Sequence, residues 1–383
     1  MSVTAATGFR AGAVTAGLKP SGAPDVAVVV NDGPRDSAAA VFTANRCVAN
    51  PVLWSRRVLA DGRLRAVVLN SGGANCFTGP AGFQTTHATA EAVADGLGVG
   101  AFEVAVCSTG LIGTELFTPR VVAGAAAAVT AAHPDGGEDA AEAIRTTDTV
   151  RKQAVVAGDG WVVGGMAKGA GMLAPGLATM LVVLTTDADV EPAGCDQALR
   201  AATRVSFDRL DGDGCQSTND TVLLMASGAS GVVPDPAAFA GAVRELCSLL
   251  ARQLQGDVEG SAHDITVTVS GAVTEDDAVE VARSVARSNL LKCAVFGEDP
   301  NWGRVLASVG TTAAAFDPDH LDIAFNGVPV CTDSLPDADP ALVVFAGRAV
   351  DIAVHLHVGD TSATVWTSDL TPAYVHENSA YST

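Results

Sequence analysis

The sequence has no C-x-x-C pair, no apolar run long enough to cross a bilayer, and few cations. Each absence removes a class of protein. A membrane-spanning helix needs about 20 consecutive apolar residues, and "MLVVL" (180–184) is far shorter. The opening "MSVTAATGFRAGAV" lacks a basic segment followed by an apolar one, so no export signal is expected. The eight cysteines (47, 76, 107, 195, 215, 247, 293, 331) are scattered. They read as reduced core or loop cysteines of a cytoplasmic protein. Only 23 Lys and Arg stand against 43 Asp and Glu, a formal net charge of −20. Such a surface disfavours nucleic acid and anionic membrane as partners. It leaves room for a small zwitterionic substrate recognised by local charges. Internal repeats and long linkers are also missing.

What remains is a globular chain of 383 residues with 48% hydrophobic residues, enough for one large core or two to three lobes. "RAVVLN" (65–70) reads as a buried strand running into "SGGANCFTG". "THATAEAVADGLG" (86–98) reads as a helix ending at glycine. "FEVAVCSTGLIG" (102–113) is a strand entering a Ser-Thr-Gly turn. "RVVAGAAAAVTAAH" is an alanine-rich helix stopped by Pro134. "KQAVVAGDGWVVGGM" is a hairpin about Gly158-Asp159-Gly160. "MLVVLTTDA" is a strand. "DPAAFAGAVRELCSLLARQL" is a helix with Phe239, Val243, Leu246 and Leu250 as its apolar stripe. "DITVTVSGA" alternates as a strand, and Thr274 with Asp277 caps the next helix. "HLDIAFNGVPV", "VDIAVHLHVG" and "SATVWTSDL" are further strands. Helices and strands mix without a strict βαβ rhythm, which predicts layered α+β packing.

Chemistry concentrates in "MAKGAGMLAPGLATML" (166–181). A threonine opening an apolar strand is ordinary, but Thr179 follows a turn rich in small residues. A hydroxyl becomes a good nucleophile when a base takes its proton, and an N-terminal threonine carries that base as its own α-amine. Cleavage of the Ala178–Thr179 bond would create one. Gly169, Gly171, Pro175 and Gly176 suit a strained, accessible turn. The glycine pattern is neither a Walker loop nor a dinucleotide fingerprint. "CSTG" (107–110) aims a hydroxyl and a backbone N–H at one point, as an oxyanion hole does, although a plain Ser/Thr turn would look the same. Lys168 either snorkels to water or holds a substrate carboxylate. "STNDT" (217–221) and "GEDPNWGRV" (297–305) read as turns and caps. His355-x-His357 points two imidazoles to one strand face without a third ligand in range, so no metal is expected.

Taken together, "MAKGAGMLAPGLATML", "LNSGGANCFTG", "CSTGLIG", "TTDT", "STNDT", "DPNWGRV" and "YVHENSAYST" resemble, in order along essentially the whole chain, the ornithine acetyltransferase family. That resemblance implies a layered αββα sandwich, of the type shared with self-processing aminopeptidases, with a smaller α+β lobe at roughly 235–350. It implies self-cleavage between Ala178 and Thr179 into an α chain (1–178) and a β chain (179–383). Thr179 would be the nucleophile, and Thr109 and Gly110 the oxyanion hole. Thr146, Lys168, Thr179, Glu259, Asn378 and Thr383 would bind substrate. The activity implied is acetyl transfer from N2-acetylornithine to glutamate in arginine biosynthesis, through an acetyl-threonine and without metal or cofactor. Acetyl-CoA stays open as a second donor, and an α2β2 heterotetramer is the implied assembly. The alternatives are a self-processing amidase or aminopeptidase of the same architecture, with water as acceptor, and a binding protein in which Thr179 is only a strand residue. Two positions depart from the family pattern, His263 after "EGSA" and Arg151 in "TDTVRK".

Overall fold

A computed structural model describes residues 2–174 and 180–380. Ala178, Thr179 and Thr383 lie outside the described residues, as do Pro175 and Gly176, where a turn is expected from the sequence. The chain divides into two compact units, one of residues 1–208 and 216–254, the other of 209–215 and 255–383.

The first unit holds two sheets. One is ordered β1-β2-β4-β5 and the other β3-β9-β8-β7-β6. In chain order these are β1 (Phe9–Val14), β2 (Val26–Asn31), β3 (Ser37–Phe42), β4 (Ala66–Ser71) and β5 (Val104–Thr109). They continue with β6 (Lys152–Ala157), β7 (Val162–Lys168), β8 (Leu181–Thr186) and β9 (Thr221–Ala226). The helices are α1 (Asn50–Val58), α2 (Gly79–Leu97), α3 (Thr118–Ala131), α4 (Gly137–Ala143), α5 (Pro192–Arg204) and α6 (Pro236–Gln255). One continuous core runs from α2, α3 and α4 through the four-stranded sheet to Met166, Leu181, Val183, Leu223 and Met225 on the facing sheet. Alternation sends Gly165 and Leu184 to the opposite face, where Leu246 and Leu250 of α6 lie beside them. The layers are therefore helix, sheet, sheet, helix. Every residue of β2, β4, β5, β8 and β9 is buried, as expected when both faces of a strand are covered.

The second unit is a six-stranded sheet ordered β13-β12-β11-β14-β10-β15. Its strands are β10 (Asp264–Ala272), β11 (Asp322–Phe325), β12 (Val328–Thr332), β13 (Leu335–Pro336), β14 (Ala349–His355) and β15 (Thr361–Ser368). Helices α7 (Glu275–Ala286), α8 (Asn289–Phe296) and α9 (Trp302–Val309) join β10, β11, β14 and β15 in its core, and α10 (Pro372–Ala380) follows β15. Thr274 caps α7 as expected, its hydroxyl accepting the Asp277 N–H at 3.1 Å.

The smaller lobe differs from the expected 235–350. Its main segment starts at residue 255 and runs to the end of the chain. The reason is α6: its apolar stripe, with Phe239 against Trp161 at 5.7 Å between ring centroids, is spent on the first unit. Helix α2 starts seven residues before the expected position, at Gly79, with Pro80 in its first turn. "HLDIAFNGVPV" is two strands, because Asn326 and Gly327 take φ +48° and +82° and fold β11 back onto β12.

Candidate functional site

Antiparallel pairing of β7 with β8 sets Lys168 opposite Leu181. Leu181 faces the four-stranded sheet, so Lys168 points between the sheets rather than outward. It is 1% exposed, so of the two readings the snorkel to water is excluded. Its Nζ donates to Thr109 Oγ1 at 3.2 Å. Thr109 is the last residue of β5 and also buried. Two of the family-implied site residues, from different sheets, thus meet at one hydrogen bond.

Gly110 follows with φ +132°. A Cβ there would lie 2.5 Å from Gly73 N, so only glycine fits. The Thr109 carbonyl is held by the N–H groups of Gly72 and Gly73, both at 3.0 Å. "SGG" at 71–73 is therefore the cradle that shapes the Thr109-Gly110 turn.

Thr146 is exposed, and its N–H donates to Asp148 Oδ2 at 3.0 Å. Asp148 Oδ1 accepts Lys152 Nζ and the Gly169 N–H, each at 2.6 Å. Burial alone would push the Asp148 carboxyl up. The ammonium groups of Lys168 and Lys152 and the Gly169 N–H overcome this and hold it well below the usual carboxylate range. Asp220 behaves oppositely. It is fully buried, and desolvation raises it well above the usual range despite the Met180 N–H and Lys168. Its Oδ1 accepts the Met180 N–H at 3.1 Å, beside the candidate nucleophile in the chain. Asn219 spans the gap to the other sheet, donating to Ala74 O at 2.6 Å and Ser108 O at 2.9 Å. "STNDT" is a packed element of this region, not the simple turn expected. Asp148, Lys152 and Asp220 were all missed as candidates. The aspartates inside "TTDT" and "STNDT" were the available signal for Asp148 and Asp220, and Lys152, at the start of "KQAVVA", carried none.

The remaining candidates belong to the second unit. Glu259 is 5% exposed. The Thr371 hydroxyl donates to the Gly260 carbonyl at 2.5 Å and accepts the Tyr374 N–H at 3.0 Å. The Glu259 turn is thereby tied to the start of α10. That helix carries Asn378, whose Nδ2 donates to Tyr374 O at 3.0 Å. The described part of the terminal segment is helical through Ala380. His263 pairs with Asp369 at 2.8 Å, and the same aspartate accepts the Ala262 N–H at 2.9 Å. This departure from the family pattern is a structural pin. Arg151 sits among exposed carboxylates, Glu138 at 3.6 Å and Glu142 at 3.8 Å.

His355 and His357 do not share a strand face. Strand β14 ends at His355, and His357 takes φ +56°. The rings meet edge to face at 4.1 Å. Each has its own partner, Ser270 Oγ at 2.8 Å for His355 and Asp322 Oδ2 at 2.7 Å for His357. Among the described residues no group of three His, Cys, Asp or Glu is arranged to hold a metal ion.

Residues 10–383 match the profile of the ArgJ family. The chain is 63% identical over 382 residues to the arginine biosynthesis bifunctional protein ArgJ of Streptomyces coelicolor, covering all of both chains. It is 60% identical over 383 residues to the protein of that name from Thermobifida fusca, again over both full lengths. Among solved structures, the ornithine acetyltransferase of Mycobacterium tuberculosis, complexed with ornithine, matches at 56% identity and a TM-score of 0.45. That match covers 47% of this chain and 96% of that one. The profile match over residues 10–383 and the full-length identity to two ArgJ proteins, on a fold that brings the lysine of one sheet to the Ser-Thr-Gly turn of the other, leave one assignment: the chain belongs to the ArgJ family.

Proposed function

We propose that the chain is an acyltransferase of arginine biosynthesis that moves an acetyl group from N2-acetylornithine to glutamate, releasing ornithine and N-acetylglutamate. The observation that carries this reading is the family match over residues 10–383. Thr179, freed by cleavage after Ala178, attacks the acetyl carbonyl. Its α-amine takes the hydroxyl proton and passes it to the nitrogen of the leaving ornithine. The Thr109 hydroxyl and the Gly110 N–H receive the oxyanion. Glutamate's amine then takes the acetyl group and its proton goes to the α-amine, which restores Thr179. Lys168 meets a substrate α-carboxylate, and Glu259 faces the ornithine ammonium. Thr146, Asn378 and Thr383 complete substrate binding. All groups in these steps belong to the chain, so no resident cofactor is required. Any donor that acetylates Thr179 feeds the same second half-reaction, and acetyl-CoA is the second donor to test. No described helix is long and apolar enough to cross a membrane, and we place the reaction in the cytoplasm.

Topology supports two chains that stay together. The proposed cut falls in the connection between β7 and β8. In the sheet order β3-β9-β8-β7-β6, β8 and β9 of the later piece lie between strands of the earlier one. Separating the pieces would break both β8–β7 and β9–β3 ladders. Two such pairs would form the α2β2 assembly.

A denaturing intact mass spectrum, before and after brief exposure to acetylornithine, tests the reading. Two fragments parted between Ala178 and Thr179, with an acetyl increment on the later one, are expected. Thr179→Ala should stay whole and transfer nothing. A single uncut wild-type mass without an increment would return the chain to a non-catalytic binder.

A further inference from the structure

Two lysines and one aspartate share the open end of the β6–β7 hairpin, and none of them reaches water. The side chains of Asp148 and Lys152 are fully buried and Lys168 is 1% exposed. Burying one lysine with one carboxylate is a known, costly arrangement. Burying a second ammonium beside the same carboxylate needs a further reason. The hydrogen bonds supply it. Neutralising Lys152 would occupy one oxygen, yet Asp148 also accepts two backbone N–H groups, from Thr146 at 3.0 Å and Gly169 at 2.6 Å. Thr146 is itself a candidate substrate contact. Gly169 follows Lys168 directly and has φ +151°, so strand geometry no longer sets the peptide that joins them. The anchor on Gly169 does so.

We propose that Asp148 is a positioning residue for acetyl transfer: its carboxylate fixes the backbone at Thr146 and Gly169 and sits against Lys152, so that the Lys168 side chain is aimed at the Thr109 hydroxyl. This rests on the reading that Lys168 and Thr109 serve the reaction. Charged groups that act on Lys168 among the described residues include Asp148, ahead of β6, and Asp220, at the head of β9. Lys152 lies behind Asp148, and Lys19, after β1, also feels that carboxylate. Burial biases Asp220 towards its neutral acid.

The test is Asp148→Asn in the full chain, alone and with Lys152→Gln. Acetyl exchange between acetylornithine and glutamate by the wild type is measured first. No wild-type exchange overturns the underlying reading and this role with it. In Asp148→Asn, kcat/KM should fall about 100-fold through lost alignment. The alkaline limb of its pH profile should move down by about one pH unit, because Lys168 then keeps a like charge and loses its counterion. The double variant removes one ammonium together with the carboxylate. Its alkaline limb should return to the wild-type position, with kcat/KM still reduced because an amide replaces the carboxylate anchor. A folded Asp148→Asn with wild-type kcat/KM and limb overturns the positioning role alone. Should the single variant not fold, the charge-balanced double variant decides. Low kcat/KM with a wild-type limb supports the role, and wild-type kcat/KM or a displaced limb overturns it.

Discussion

The end of β7 and the end of β14 start from similar material, two basic side chains beside an aspartate, and treat it differently. At β7, Lys168 ends a strand buried at six of its seven positions, and Asp148, just ahead of β6, lies between it and Lys152 at the start of β6. At β14, His355 ends a strand that alternates between exposed and buried, and His357, just past it, pairs with Asp322 of the neighbouring β11. The difference comes from the sheets. The five-stranded sheet is covered on both faces, so a charge placed there loses water and must find protein partners. The faces of β14 differ, so its charges keep water and need each other little. The cluster at β7 is thus where each charge depends on its protein partners, and the cluster at β14 is a surface network.

Removing a partner at each end should expose this contrast most sharply. Lys152→Met leaves Asp148 buried with its direct ion partner gone, and should cost about 3 kcal/mol. The urea midpoint reads this. A loss as small as that of a surface pair would show that Lys152 carries little.

The next effect distinguishes two carboxylates within the buried region. Asp148 is depressed when folded, so its stabilisation is present above the unfolded carboxylate pKa of about 3.9. That stabilisation is lost as pH falls through the lower folded value. Asp220 is raised when folded, so it costs stability above that same unfolded value, increasingly as pH rises towards its folded pKa. Asp148→Asn should therefore lower the urea midpoint at pH 7, with the deficit shrinking in acid. Asp220→Asn, which keeps an oxygen for the Met180 N–H, should raise the midpoint at pH 7, and that gain should shrink towards pH 4. Parallel curves for the two variants would contradict the opposite shifts.

The smallest effect belongs to β14. His357→Ala breaks the pair with Asp322 on a half-exposed surface, and should change stability by no more than about 0.5 kcal/mol. A large loss there would erase the distinction between the two ends.

Much of the first unit was legible because covered strands read as unbroken apolar runs, such as "MLVVLTT", and because helix stripes such as Phe239 to Leu250 are periodic. Thr109, Gly110 and Lys168 are legible in the motifs "CSTG" and "MAKGAGMLAPGLATML". The lobe boundary was not legible, since the stripe on α6 says that it packs but not against which unit. Asp148 stood in plain view in "TTDT" and carried no local mark. Its role depends on Gly169, twenty-one residues later, and on two lysines held by strand pairing. Lys168 looked able to reach water, and only its register opposite Leu181 turns it inward.

Composition, apolar periodicity and turn residues are local properties, and they determined which segments are strands and helices, the glycine demanded after Thr109, and the ordered motifs that carry the family assignment. Which charges lose their water is not local. It follows from which strands lie side by side and which faces are covered, and so the tertiary structure alone decided that Lys168 meets Thr109, that Asp148 is ionised and Asp220 biased to its acid form, and that two histidines two residues apart remain surface groups.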